Sequence, residues 1–244
     1  MSAADPVVIL GSGLAGYHAA REFRKLDKTT PLVVVSRDHA GFYSKPMLSN
    51  ALAGNKTAAM LVMKPAATMA EEIGATVRAH TEVARIDIGA RVLHCVDGEA
   101  IAYRDLVLAL GADPIRLPLE GDAAADVLSV NDLDDYACFA ARLDGVTAVA
   151  ILGGGLIGCE FANDLLARGI VPTVIDPAAW PLSRLLPPEA GEWMRRRLEA
   201  AGARFSFGVA AGRVDRTTSS YTLSLTDDSR VEAGLVLSSV KLRV

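Results

Sequence analysis

The sequence predicts an α/β protein built from two successive units of one plan, each a parallel sheet with flanking helices and an antiparallel β-meander. Three observations carry this. A short apolar run, a glycine-rich turn and a helical stretch occur in that order twice, over residues 7–25 and 148–167. A second short apolar run follows each, at 31–35 and 171–175. Turn-separated alternating stretches at about 83 to 105 and 205 to 233 then precede a further apolar run in both halves, at 106–111 and 235–240. The repetition of one grammar reads as an internal duplication.

In the first unit, Val7-Val8-Ile9-Leu10 is too short for a buried helix and rich in β-branched residues, so it reads as a buried parallel strand. Gly11-Ser12-Gly13-Leu14-Ala15-Gly16 forms the turn into the helix. In such a G-x-G-x-x-G text the first glycine makes the turn, the second lets a pyrophosphate approach the backbone, and the third lets helix and strand pack closely. The helix N-terminus then offers free amides and a partial positive charge to the phosphates. The strand at 31–35 ends on Ser36-Arg37-Asp38, with no acid at its immediate end; the adenosine ribose contact falls to these three residues, with Asp38 as a solvated turn residue the other reading.

The second unit carries Gly153-Gly154-Gly155-Leu156-Ile157-Gly158 and, about 20 residues beyond Gly153 as the fingerprint requires, Asp176 at the end of the next strand. A carboxylate there favours a free ribose 2′-hydroxyl and repels a 2′-phosphate, so NADH is preferred over NADPH. One glycine motif alone is weak evidence. Two in strand–turn–helix context, roughly 140 residues apart, define a pair of Rossmann-like dinucleotide folds.

Between them, the prolines of 112–118 disfavour helix and suggest an extended crossing. The boundary is placed near Pro118, giving domains 1–118 and 119–244. Asn131 is expected to cap the following helix, whose first turn carries Asp132, Asp134 and Asp135. The segment from Tyr43 to Asn50 has turn chemistry at its start and no strong period, and a lone lysine such as Lys45 would ordinarily be a surface residue there.

Composition bounds the rest. At 244 residues with 51% hydrophobic side chains, the chain can bury a sizeable core. A formal net charge of −4 supplies no broad positive field, which argues against a nucleic-acid partner. Arg21, Arg24, Lys25 and Lys28, and again Arg195, Arg196 and Arg197, read as solvated helix faces, with docking of an acidic carrier protein as the other reading. Cys95, Cys138 and Cys159 form no C-x-x-C pair, which removes a redox dithiol and a zinc-finger spacing and fits a reducing cytoplasm. No signal peptide is expected at 1–6, and no apolar run approaches the ~20 residues of a membrane span, so no membrane association is expected.

Four stretches together resemble the bacterial rubredoxin reductases, a branch of the FAD-dependent pyridine-nucleotide reductases. They are the opening Val8-Ile9-Leu10-Gly11-Ser12-Gly13-Leu14-Ala15-Gly16-Tyr17, then Tyr43-Ser44-Lys45-Pro46-Met47-Leu48-Ser49, Tyr103-Arg104-Asp105-Leu106-Val107-Leu108, and Gly155-Leu156-Ile157-Gly158-Cys159-Glu160-Phe161-Ala162-Asn163-Asp164-Leu165. The resemblance implies a glutathione-reductase-like fold and hydride transfer from NADH to FAD, followed by single-electron delivery to rubredoxin. Ferredoxin as acceptor, or a non-catalytic dinucleotide-binding module, stand as alternatives.

It further implies that Gly11 to Gly16 cradle the FAD pyrophosphate and that Lys45 and Pro46 lie beside the flavin ring. Val83 would contribute backbone contacts to adenine, with Leu110 and Gly111 also at the FAD site. Gly153, Gly155, Leu156, Ile157 and Gly158 would bind NADH. Glu160 would sit near the nicotinamide and form an ion pair with Lys45, which stabilises negative charge on the reduced ring. The lack of a cysteine pair argues against a dithiol relay. Two departures stand out: Asn50 replaces a lysine of ferredoxin-reductase relatives, and Lys241 replaces a glycine. The family's later strand, with a Gly-Asp pair at the flavin ribityl chain, and its C-terminal interface domain have no counterpart in these residues, which are expected to be either a fragment or a naturally truncated chain.

Overall fold

The computed structural model describes residues 5–240, 242 and 243; Lys241 lies outside the described residues. Along the chain come β1 (Val7–Leu10), α1 (Leu14–Leu26), β2 (Leu32–Val35), a 3-10 turn (Lys45–Asn50), α2 (Ala58–Leu61), α3 (Ala66–Ile73) and β3 (Thr76–Arg78). The strands β4 (Val83–Asp87), β5 (Val92–Cys95), β6 (Ala100–Ala102), β7 (Asp105–Leu108) and β8 (Asp113–Pro114) follow. The second half holds α4 (Leu133–Arg142), β9 (Ala148–Leu152), α5 (Leu156–Leu166), β10 (Val171–Asp176), α6 (Pro188–Ala200) and β11 (Arg204–Phe207). It closes with β12 (Ala211–Arg216), β13 (Tyr221–Leu225), β14 (Arg230–Ala233), β15 (Leu235–Ser238) and β16 (Leu242–Arg243).

The duplication is visible in the sheets. One parallel sheet runs β3-β2-β1-β7 and the other β11-β10-β9-β15, the same order in each. Antiparallel meanders β4-β5-β6 and β12-β13-β14 accompany them. Strand alternation sorts the first core into two layers: Val7, Ile9, Leu32 and Val34 pack with Tyr17, Met69 and Ile73, while Val8, Leu10 and Val35 pack with Leu93 and Ile101 of the meander. In the second unit Ala150, Leu152, Ile175 and Val236 meet Val214, Leu223 and Leu225 in the same way. Pro172 is tolerated inside β10 because the neighbouring amide of Val171 already bonds Thr147 on the β9 side, and pairing with β11 begins only at Thr173.

The chain divides into two compact units, one holding residues up to 45 with 62–112, the other 46–61 with 113–243. The division thus falls at Ala112 and Asp113 instead of near Pro118, because β8 pairs antiparallel with β16 of the second unit. Residues 46–61 also leave the first unit for the second, which the sequence boundary did not anticipate.

Two local expectations need correction. The cap of α4 is Asp132, whose side chain accepts the Asp135 amide at 2.9 Å; Asn131 instead donates its own amide to Asp135 Oδ2 at 2.9 Å. Asp135 thus gives its amide to the cap Asp132 and takes that of Asn131, which stays outside the helix. Arg21 and Arg24 are half-buried and bonded to the protein instead of lying free on a solvated face. The Arg21 guanidinium lies 4.7 Å from the Phe42 ring centre and Nε binds Glu72 at 2.9 Å. Arg24 donates to four backbone carbonyls, of Ile73, Asp27, Thr30 and Gly74, at 2.8 to 3.0 Å. On α6, Arg195 and Arg196 pair with Glu192, and the Arg197 guanidinium stands over the Trp193 ring.

Candidate functional site

The second unit holds a cleft of about 870 Å³ at the carboxyl ends of β9 and β10, where open α/β sheets bind ligands. Gly153, Gly154, Gly155, Leu156 and Ile157 form its floor, and Asp176, Ser183, Arg184, Ser239 and Leu242 are among its walls. The glycine turn is over-determined. Gly153 has φ +113°, open to glycine at little cost. A Cβ on Gly158 would lie 1.9 Å from the Gly153 carbonyl oxygen and 2.6 Å from Ser239 Oγ, so helix and turn touch there without a side chain. A Cβ on Gly155 would meet nothing within 4 Å. That glycine, the N-cap of α5 with φ −77°, is required neither by the backbone nor by a neighbour. What it keeps clear is the approach to the free amides of the helix.

Asp176 closes the turn from the other side, taking the Gly154 amide on Oδ2 at 2.6 Å and the Ala178 amide on Oδ1 at 2.7 Å. The loop behind it is tied down by the Leu182 amide on the Gly154 carbonyl at 2.8 Å, which holds Ser183 and Arg184 at the rim. Ser239 Oγ lies 3.0 Å from the Gly153 carbonyl and 3.2 Å from that of Leu152, bracing the turn from β15.

The first unit repeats this geometry with different atoms. Gly11 also has φ +113°, a Cβ on Gly16 would lie 1.9 Å from the Gly11 carbonyl oxygen, and one on Gly13 would again meet nothing within 4 Å. Leu14 and Ala15 are exposed beside it. The register Leu10↔Val35 and Leu152↔Ile175 makes Ser36 the counterpart of Asp176. Where the second unit bonds carboxylate to amide, the first bonds Ser12 Oγ to Ser36 Oγ at 2.7 Å, and Ser36 donates to Asp38 Oδ1 at 2.7 Å. Asp38 also takes the Ala40 amide at 2.8 Å. Burial opposes its charge, but the bonds from Ser36 and Ala40 and the neighbouring His39 outweigh it and hold the carboxyl below its usual range. Asp38 is therefore a held acid, not a solvated turn residue, and Arg37 beside it is exposed.

Tyr17 donates to the Ala40 carbonyl at 2.5 Å, and burial, with the Asp38 charge second, pushes its phenol up to about 12. Val83 opens β4 half-buried, and Leu110 and Gly111 follow β7 exposed.

Lys45 opens the 3-10 turn, exposed, with Pro46 beside it. The remainder of that turn and the chain to residue 61 dock on α5 and α4 of the second unit. Ser49 Oγ donates to Glu160 Oε2 at 2.5 Å, Asp164 takes the amides of Leu52 and Ala53 at 2.8 and 2.7 Å, and Tyr136 donates to the Lys56 carbonyl at 2.7 Å. Burial raises the Asp164 carboxyl, with the Ala53 and Leu52 amides working against the rise. Glu160 is half-buried and bonded.

Sequence reasoning did not single out Ser49, Asp164, Ser239 or Arg184. A signal existed for Asp164: with Glu160 it places two acids four residues apart in a largely apolar helix text, Leu-Ile-Gly-Cys-Glu-Phe-Ala-Asn-Asp-Leu-Leu. The three thiols are free, with Cys95 and Cys159 buried and Cys138 exposed. Burial, then the charges of Asp176 and Glu160, pushes the Cys159 thiol up to about 11, far from a reactive thiolate. Among the described residues no cluster of His, Cys, Asp or Glu could hold a metal ion, and no helix is long and apolar enough to cross a membrane.

Two parallel sheets of one order, each with a glycine turn at a helix start and open space above its second motif glycine, define an α/β protein with two Rossmann-like units. Comparison with known proteins agrees. A profile of the pyridine nucleotide-disulphide oxidoreductases matches residues 5–242, and the chain belongs to that family. It is 45% identical to the rubredoxin-NAD(+) reductase of Alcanivorax borkumensis strain SK2 over 98% of this chain and 62% of that protein. Identity to the rubredoxin-NAD(+) reductase of Acinetobacter baylyi strain ADP1 is 40%, over 98% of this chain and 62% of the relative. A crystal structure of the ferredoxin reductase for the CYP199A2 system from Rhodopseudomonas palustris superposes with TM-score 0.89 at 27% identity, covering 98% of this chain and 59% of that one. The chain thus spans less than two thirds of the length of these relatives.

Proposed function

We propose that the chain is the dinucleotide-binding part of an NADH-dependent flavoprotein reductase that passes electrons singly to rubredoxin in the cytoplasm, with FAD on the first unit and NADH on the second. The observation that carries this reading is the pair of second motif glycines, Gly13 and Gly155, at which a side chain would meet nothing. A fold needs no glycine there; a pyrophosphate above the helix amides does. Identity of 45% and 40% to two rubredoxin-NAD(+) reductases supports the acceptor, and a ferredoxin-type carrier is the nearest alternative.

A bound flavin would supply the two-electron to one-electron conversion, which no side chain provides. The protein's own residues bind, orient and hold charge. The α1 and α5 amides take the two pyrophosphates, and Asp176 takes the ribose hydroxyls of NADH. Ser36, Arg37 and Asp38 face the other ribose, and Val83, Leu110 and Gly111 border the first site. Lys45 stabilises negative charge that develops on the flavin ring, as a nearby cation does.

A second reading is a module that binds NADH without retaining FAD. It is favoured by the open side of the first site, where Leu108 and Leu110, flanking Ala109 against Gly11, are 57% and 60% exposed. The purified chain, reconstituted with FAD and mixed anaerobically with NADH or NADPH, decides between them in stopped-flow absorbance. Rapid bleaching with NADH establishes the reductase half-reaction, and Lys45→Ala should slow it. A chain that holds no flavin is the module.

A further inference from the structure

We propose that Ser49 and Asp164 are positioning residues for Glu160, fixing its carboxylate where the reading above needs it; the inference rests on that reading. Glu160 and Asp164 lie four residues apart on α5 and so project from one face of the helix. Asp164 is 1% exposed and spends both carboxylate oxygens on consecutive amides, Leu52 on Oδ2 and Ala53 on Oδ1. Burying a carboxylate is costly unless its lone pairs are met, and here two amides meet them.

The arrangement is sensitive to register. If residues 46–61 slid along α5 by one position, the carboxylate and both amides would lose their geometry together. Tyr136, itself 1% exposed, fixes the far end of the segment through the Lys56 carbonyl.

With Leu52 and Ala53 fixed, Ser49, three residues earlier, is set over Glu160. Its hydroxyl has one proton and two acceptors in reach, Glu160 Oε2 at 2.5 Å and the Pro46 carbonyl at 3.2 Å. The shorter bond to the carboxylate takes the proton, as charge-assisted bonds do. A glutamate on a helix otherwise samples several rotamers; this bond selects one. Neither Ser49 nor Asp164 needs to touch a dinucleotide for this role.

The test uses the full chain with Ser49→Ala, Ser49→Thr, Asp164→Asn and Glu160→Gln. Flavin reduction is followed against NADH concentration after FAD reconstitution. The Glu160 carboxyl ¹³C signal and amide exchange at Leu52 and Ala53 are read without FAD. Ser49→Ala should lower the rate at saturating NADH on the order of tenfold, as misplacing a group does, with the KM for NADH unchanged. Amide exchange at Leu52 and Ala53 should stay slow in that variant while the Glu160 signal becomes averaged. Ser49→Thr should restore both rate and signal. Asp164→Asn should speed exchange at both amides and reproduce the rate loss.

If Glu160→Gln is slow but Ser49→Ala reduces flavin at the native rate, the positioning role is overturned and the functional reading stands. If Glu160→Gln is itself unaffected, the role assigned to Glu160 falls and the inference with it. Should Asp164→Asn fail to fold, the Ser49→Ala and Ser49→Thr pair decides alone.

Discussion

Gly154 and Asp176 are joined by a 2.6 Å hydrogen bond from the glycine amide to Oδ2, and the Ala178 amide holds Oδ1 at 2.7 Å. The carboxylate is thus fixed at the edge of the glycine turn, with its charge facing the cleft that Asp176 helps line. A 2′-phosphate brought to about 4 Å of it would meet repulsion of roughly 4 kcal/mol per unit charge near a protein surface. The native chain should therefore bind NADPH at least about 100-fold more weakly than NADH, each 1.4 kcal/mol being tenfold. Asp176→Asn should narrow that gap by weakening NADH and relieving NADPH. Titration of tryptophan fluorescence measures both, and equal native affinities would refute the assignment.

The roles of the second and third motif glycines separate experimentally. Gly158→Ala places a methyl 1.9 Å from the Gly153 carbonyl oxygen, a contact that only backbone movement relieves. It should destabilise the second unit by about 1 to 3 kcal/mol, the usual cost of overpacking. Gly155→Ala puts its methyl in open space and should melt like the native chain, yet lose NADH affinity by tenfold or more. Thermal melts together with NADH titrations of the two variants check the contrast. If Gly155→Ala binds NADH normally, the lane above α5 is not where the pyrophosphate lies.

How far the sequence could be read follows from the range of the interactions involved. The glycine turns, the strands that flank them and Asp176 are local: a short β-branched run, a turn residue and a fixed spacing carry them. The α4 cap lies one residue beyond Asn131 because Asn131 and Asp132 are equally good caps by residue type, and only the bonds of Asp135 choose between them. The docking of 46–61 on α5 could not be read, since it joins Ser49 to Glu160 across 111 positions. Arg24 reads as a solvated charge for the same reason: its acceptors at Ile73 and Gly74 lie about 50 residues away in a helix-end turn that sequence does not bring near α1.

That placement of Arg24 has a measurable cost. Its half-buried guanidinium satisfies carbonyls at the end of α3, at the end of α1 and at the turn before β2. Arg24→Met keeps most of the packing stem and removes all four bonds. It should lower stability by about 2 kcal/mol, as expected when partners of a charged donor are left unmet. Arg24→Lys should recover only part, because an ammonium cannot reach four acceptors in one plane. Urea midpoints of the three proteins test this, and a native midpoint for Arg24→Met would return Arg24 to the solvated face.

Asp38 and Asp164 should respond to acid in opposite senses. Asp38 is held below its ordinary value of 3.8 by Ser36, Ala40 and His39 against its burial, so the folded chain releases this proton more readily than the unfolded one. Its contribution is present above about pH 4, where the unfolded carboxyl is ionised, and is lost as pH falls through the lower folded value. Asp164 is raised above 3.8, chiefly by burial, so the folded chain binds this proton more tightly. Its protonated form is favoured by folding, and that contribution fades as pH rises through the raised folded value. Asp38→Asn should therefore cost about 2 kcal/mol at pH 7, the worth of bonds to a charged acceptor, and progressively less below pH ~4. Relative to native, Asp164→Asn should become costlier as pH falls. Urea midpoints by circular dichroism at pH 7 and pH 3.5 give both differences; if the Asp38→Asn gap does not close in acid, the Ser36–Asp38 bond is not what holds that carboxylate.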